Sequence, residues 1–234
     1  ITADNSTTYM SFFSQMDTYG DGYAGIGVWR AAFKPLVDRI ADTDIRLQWF
    51  CCDRSTGVTD ASGNRITLIR DTQSPVAVEY QAVKFIGTGR DNIKAGVFSG
   101  WELGDYIYLR SEEAYMIKME ALAHKGSAEA VTELNSFMKT RQPDYNYTFT
   151  NKADLIEEII YQKRVEFWGE GLEYIDNRRL NIPVDRTDET WGAENNNHFS
   201  AGKFRYNQED RPFLYQLPLS EIENNSQLSP SDQN

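Results

Sequence analysis

Ser111-Glu112-Glu113-Ala114-Tyr115-Met116-Ile117-Lys118-Met119-Glu120-Ala121-Leu122-Ala123-His124-Lys125-Gly126-Ser127 carries the pattern from which the fold is read. Over a helix predicted from Asp105 to His124, Ile107, Ala114, Ile117 and Ala121 form one apolar row, and Leu109, Met116 and Ala123 form a second. That is the 3.6-residue period of a helix with a wide buried face, and the alanines let a neighbouring helix come close. Gly126 can take the left-handed backbone that ends a helix, and Ser127 suits the cap of the next one. A helical hairpin is therefore predicted.

The second predicted helix, Ala128 to Thr140, places Val131, Leu134 and Met138 on one face and closes with Lys139 and Arg141, which suit the negative end of its dipole. Pro143 cannot continue it. Beyond the aromatic loop Tyr145-Asn146-Tyr147-Thr148-Phe149, either Thr150 or Asn151 caps a third helix. Its first turn holds Asp154, and its stripe is Leu155, Ile156, Ile159, Ile160 and Phe167. Trp168 adds bulk, and Gly169 and Gly171 loosen an exit rich in glycine and arginine that runs to Leu180. The expected fold class is all-α: tetratricopeptide-type hairpins without an exact repeat, with residues 101–180 as the helical core, 1–100 as a loop-rich ligand-side region and 181–234 as an irregular wrapping segment.

The chain has 234 residues, 40% hydrophobic, with a formal net charge of -11, enough for one good-sized core. An acidic balance with no Lys/Arg-rich run argues against nucleic acid and against an anionic membrane surface. No apolar run is long enough to span a bilayer. The two cysteines, Cys51 and Cys52, are adjacent, which strains any bridge between them and predicts free, mostly buried thiols. With His124 and His198 far away in sequence, no metal and no cofactor are expected.

Along the rest of the chain, Ala32 to Ile40 reads as a short helix around Pro35, and Asp44 and Arg46 as holding a turn. Cys52 to Asp71 carries hairpin chemistry at Asp60-Ala61-Ser62-Gly63-Asn64, with Thr67-Leu68-Ile69 as second strand. Tyr19-Gly20-Asp21-Gly22-Tyr23-Ala24-Gly25-Ile26-Gly27-Val28-Trp29 is a loop, since glycines at this density destabilise a helix by about 1 kcal/mol each. Tyr19, Tyr23 and Trp29 offer flat faces for stacking on a pyranose, with Asp21 for its hydroxyls. The competing reading is that these rings anchor the loop onto the core. Trp191, near Asn195-Asn196-Asn197, is a second-rank ligand candidate in the long polar stretch from Asn181 to Asn207.

Several blocks together carry a family resemblance. Tyr108 to Ala121, Leu134-Asn135 with Arg141, then Arg164, Glu166, Glu170-Gly171, Asp176 and Arg178-Arg179 stand in the order of the helical blocks of the SusD/RagB family of outer-membrane nutrient-binding lipoproteins. Leu217-Pro218-Leu219-Ser220-Glu221-Ile222 with Asn224 is similar to the family's tail, and Asp42-Thr43-Asp44-Ile45-Arg46 to its "tDiR" segment. The chain departs from the pattern at Met119, Gln162-Lys163, Glu173 and Asn177, positions read as packing and ion-pair framework. The resemblance implies a C-terminal portion of such a protein, whose N-terminal repeats, signal and lipid-bearing Cys would lie elsewhere. It further implies a non-enzymatic glycan or nutrient binder at the outer-membrane surface. Its partners would be an oligosaccharide and a SusC-like TonB-dependent transporter.

The dense ionisable cluster comprises Arg110, Glu120, Arg164, Glu166, Glu170 and Arg178, joined by Arg179. Glu166 and Glu170 are expected one turn apart on one helix face. A glycosidase wants two carboxylates across a cleft, one with a raised pKa; so many arginines favour buried ion pairs that lock helix to helix. Catalytic residues are therefore not expected. The readings in competition are an α-helical glycoside hydrolase working through Glu166, and a tetratricopeptide-like scaffold for a peptide.

Overall fold

Helix-forming runs, punctuated by glycine, asparagine and proline, set the architecture. The computed structural model describes residues 31–51, 80–82, 84, 108–211 and 214–232. The chain divides into two units, Ile1–Glu166 and Phe167–Asn234.

In the first unit, α1 (Lys34–Asp38) has Pro35 in its first turn, where a missing N–H costs nothing. A 3-10 turn, Ile45–Trp49, follows, and Asp44 caps it by accepting from the Arg46 N–H at 2.9 Å. Strand β1 (Phe50–Cys51) pairs antiparallel with β2 (Gln81–Ala82), Phe50 opposite Ala82. Then come α2 (Ser111–His124), α3 (Glu129–Met138) and α4 (Lys152–Glu166), with α2 packed on both of the others.

The hairpin between α2 and α3 closes through Gly126 at φ 73°. The Gly126 N–H donates to the Ala123 carbonyl at 2.9 Å and the Ser127 N–H to the Leu122 carbonyl at 3.0 Å, so two orphan carbonyls of α2 are satisfied. Ser127 Oγ accepts from the Glu129 N–H at 3.3 Å and caps α3. At ten residues, α3 is shorter than an isolated helix can be and stay folded. Its buried Ala130, Leu134 and Met138 hold it, packed into a core with Met116, Met119, Ile159 and Val165. Asn151, rather than Thr150, caps α4, its Oδ1 accepting from the Asp154 N–H at 3.0 Å.

Two expectations about α2 are corrected. Residues 108–110 are not helical: Arg110 is extended (φ -121°, ψ 149°), and α2 starts at Ser111. The row Ala114, Ile117 and Ala121 faces outward, with Ile117 52% exposed, while Met116, Met119, Glu120 and Ala123 are buried. Apolar side chains run nearly around α2, so its period does not select a face. The flexible methionines, which fill irregular gaps, and the buried Glu120 take the inner side.

The second unit holds a helix the sequence reading missed. The exit read as loose is α5 (Leu172–Leu180), bracketed by Gly171 (φ 84°) and Asn181 (φ 54°), both left-handed. The polar stretch after it, expected to be irregular, contains β3 (Val184–Asp185), a one-turn α6 (Asp188–Trp191) and β4 (Arg205–Tyr206). Strands β3 and β4 pair antiparallel, Val184 opposite Tyr206. Helix α7 (Leu219–Asn224) begins after Pro218. The hairpin expected within Cys52 to Asp71 lies outside the described residues, as do Cys52 and the expected helix start at Asp105. Among the described residues, no helix is long and apolar enough to cross a membrane.

Candidate functional site

The charged residues of the first unit assemble around Glu166, the last residue of α4, which is 2% exposed. Its carboxylate accepts from Arg141 at 3.0 and 3.3 Å, from Arg110 at 3.1 Å and from Arg46 at 3.4 Å. Asp44 holds the other edge of Arg46 at 2.7 Å, and Glu112 lies 3.7 Å from Arg110 and 3.5 Å from Arg141. Three guanidinium groups thus face three carboxylates. Burial by itself pushes the Glu166 carboxyl up, but the bonds and charges of Arg141, Arg46 and Arg110 outweigh it and leave its pKa below the usual carboxylate range. The backbone carbonyl of Glu166 accepts from Lys84 at 2.7 Å and from Arg110 at 2.9 Å. Gln162, which departs from the family pattern, accepts from Arg46 through its side-chain oxygen, so an amide does the work of a carboxylate there.

Beside this cluster, a cavity of about 350 Å³ opens between the turn after α1, the α3–α4 loop and α4. Its floor is Glu158, 8% exposed, whose Oε1 accepts from Tyr145 (2.9 Å) and Gln162 (2.7 Å) and whose Oε2 accepts from Arg39 (2.6 Å). The Arg39 guanidinium lies 3.9 Å over the Tyr161 ring. Burial pushes both the Tyr145 and the Tyr161 hydroxyls well above their ordinary range, so both stay protonated. Tyr145 and Tyr147 stack at 6.4 Å with 16° between planes. Asn135 of α3 fixes Tyr147 by its backbone, accepting from the Tyr147 N–H (2.6 Å) and donating to its carbonyl (3.0 Å). Asn146 is exposed at the mouth.

In the second unit, side chains tie down the stretch between β3 and β4. Asp185 accepts from Thr187 (2.7 Å), Thr190 (2.7 Å) and Arg205 (2.9 Å). Burial works to raise its pKa, but these donors prevail and lower it. Asp188 accepts from Lys203 at 2.7 Å and from Asn196 at 2.8 Å. The Trp191 indole N–H donates to the Asp185 carbonyl at 2.9 Å, leaving the ring 37% exposed.

Of the residues singled out from the sequence, Tyr19, Asp21, Tyr23 and Trp29 lie outside the described residues. Arg110 and Glu166 meet directly; Glu120 is buried and pairs with His124 at 3.6 Å. Arg164 is half-buried on α4. Glu170 does not share a helix face with Glu166, because α4 ends at Glu166 and Glu170 stands in the turn that follows. Arg178 is not buried: it is exposed and donates to the Gln208 carbonyl at 2.7 Å. Sequence reasoning missed Arg39, Tyr145, Tyr147, Glu158 and Tyr161. A signal was present in Glu158, Tyr161 and Gln162, polar groups spaced i, i+3, i+4 and so on one face of α4.

A helical hairpin with a third helix packed on it, and with Glu166 and its arginine partners drawn into the packing, defines a tetratricopeptide-type helical architecture. The SusD family model matches residues 80–234, and the chain belongs to the SusD family. Its structure is similar to the crystal structure of a SusD-like carbohydrate-binding protein from Bacteroides vulgatus, with a TM-score of 0.61 and 21% identity. The match covers 92% of this chain and 44% of that one, so the chain spans less than half the length of that relative. At this identity the likeness is one of fold. No curated protein sequence matches the chain.

Proposed function

We propose that the protein is a non-enzymatic glycan binder of the cell surface that passes oligosaccharide to a SusC-like, TonB-dependent transporter in the outer membrane. The observation that carries this reading is membership of the SusD family together with the fold of a SusD-like carbohydrate-binding protein. The state of Glu166 supports the non-enzymatic part. A glycosidic acid must hold its proton near neutrality, and a carboxylate whose pKa three arginines depress cannot.

Tyr19, Tyr23, Trp29 and Trp191 would supply ring faces, and Asp21 would meet hydroxyls. Trp191 has its N–H engaged and is 37% exposed.

Calorimetric titration of the purified protein across a panel of neutral oligosaccharides is expected to find binding without turnover. Trp191→Ala and Trp29→Ala should each weaken it roughly tenfold, as loss of a stacking platform does. Hydrolysis of any panel member that vanishes in Glu166→Gln would refute the reading, as would a panel with no binder. A complex with a SusC-like transporter, followed by size-exclusion chromatography, tests the delivery step.

A further inference from the structure

The cavity beside Glu158 is built of polar groups and shares Asp44 and Gln162 with the edge of the Glu166 cluster. At about 350 Å³ it lies at the lower end of the roughly 300–1,000 Å³ range of small-molecule sites, which suits a single sugar ring. We propose that it is a subsite for a single neutral pyranose residue, selective against acidic sugars. The proposal rests on the glycan-binding reading above and adds a place and a charge preference.

Charge comes first. Arg39, the one guanidinium among the lining residues, is held by Glu158 at 2.6 Å with Glu157 a further 3.8 Å contact, and Asp44, the second carboxylate on the lining, is paired with Arg46. Among the described lining residues, an anionic sugar would meet two carboxylates, Glu158 and Asp44, and one cation, Arg39, which Glu158 already pairs, on a chain of net charge -11.

Hydroxyls fare better, because each both donates and accepts. The exposed amide of Asn146 does the same, as does that of Gln142, also on the lining. The Glu158 oxygens and the Tyr145 and Tyr161 hydroxyls add acceptor lone pairs, and Arg39, with its side chain 46% exposed, retains N–H donors. The half-buried ring of Tyr147 supplies an apolar surface for the C–H face of a sugar. The inner groups are fixed in advance: Tyr145 donates to Glu158, Asn135 clamps the Tyr147 backbone, and the Tyr147 hydroxyl donates to the Asp154 carbonyl at 3.1 Å. Little ordering is left for binding to oppose.

The test uses saturation-transfer NMR and calorimetry on the whole chain with methyl glycosides of glucose, galactose and mannose, against methyl glucuronide as the acidic probe. At least one neutral glycoside should bind with a Kd on the order of millimolar, and methyl glucuronide should bind more weakly. Asn146→Ala should weaken the neutral glycoside roughly three- to tenfold, the loss of one hydrogen-bonding group. Asn146→Trp should abolish binding by filling the mouth. Because Asn146 is exposed, both variants are expected to melt with the parent; if Asn146→Trp does not, Asn146→Ala still decides.

Oligosaccharide binding that falls in Trp29→Ala or Trp191→Ala but ignores both Asn146 variants would overturn the subsite and leave the general function standing. Binding of glucuronide as tight as that of the neutral glycosides would overturn the charge preference. Absence of binding by every sugar would overturn both readings.

Discussion

Glu166 shows how much one side chain can organise. A carboxylate 2% exposed would be destabilising alone; with three arginines on it and two further carboxylates balancing them, the cluster is neutral and its polar atoms are occupied. Glu166→Gln leaves three guanidinium groups facing two carboxylates, and is expected to cost about 3–5 kcal/mol in urea denaturation. The same residue sets an acid limit. Its folded pKa is below the ordinary 4.5, so its contribution is complete above that value and is lost as pH falls through the lower folded value. A stability profile between pH 6 and roughly pH 3 should therefore fall more steeply for the parent than for Glu166→Gln. Parallel profiles would mean that the carboxyl is not depressed.

The α2–α3 hairpin depends on one backbone conformation. A Cβ at Gly126 would meet nothing within 4 Å, so a side chain there is opposed by the left-handed φ of 73° alone. Gly126→Ala is expected to cost about 1–2 kcal/mol, and Gly126→Asn less, since asparagine tolerates that region. Denaturation midpoints in that order check it; equal costs for both would point to packing instead. Helix α3 shows the other side of the same economy of structure. Its Leu134 goes inward and the neighbouring Asn135 reaches the Tyr147 backbone, so one helical turn both fastens the core and positions a wall of the cavity.

Taken whole, the molecule carries a net charge of -11, and the balanced arginines and carboxylates around Glu166 contribute none of it. Exposed like charges repel across the surface, whereas the buried cluster is shielded from ions in the solvent. Raising NaCl from about 20 mM to about 300 mM should therefore increase the urea midpoint, because screening relieves the repulsion and leaves the buried pairs intact. A falling midpoint would show that exposed ion pairs such as Lys118–Glu133 and Lys34–Asp38 outweigh the repulsion.

The hairpin with its Gly126 stop and Ser127 cap, the α1 start at Pro35, the Asp44 turn and the all-α class follow from local rules, because φ preferences, caps and the 3.6-residue period act within a few residues. The same local rules carried helix through residues 108–110 and gave Glu166 and Glu170 a common face, and they passed over α5. Which face of α2 is buried, and which arginines reach Glu166, were decided by packing between segments up to 120 residues apart, as in the bond from Arg46. The cavity has the same origin: Arg39 and Glu158, 119 positions apart, share no local signal, and only closure of the chain sets them 2.6 Å from each other.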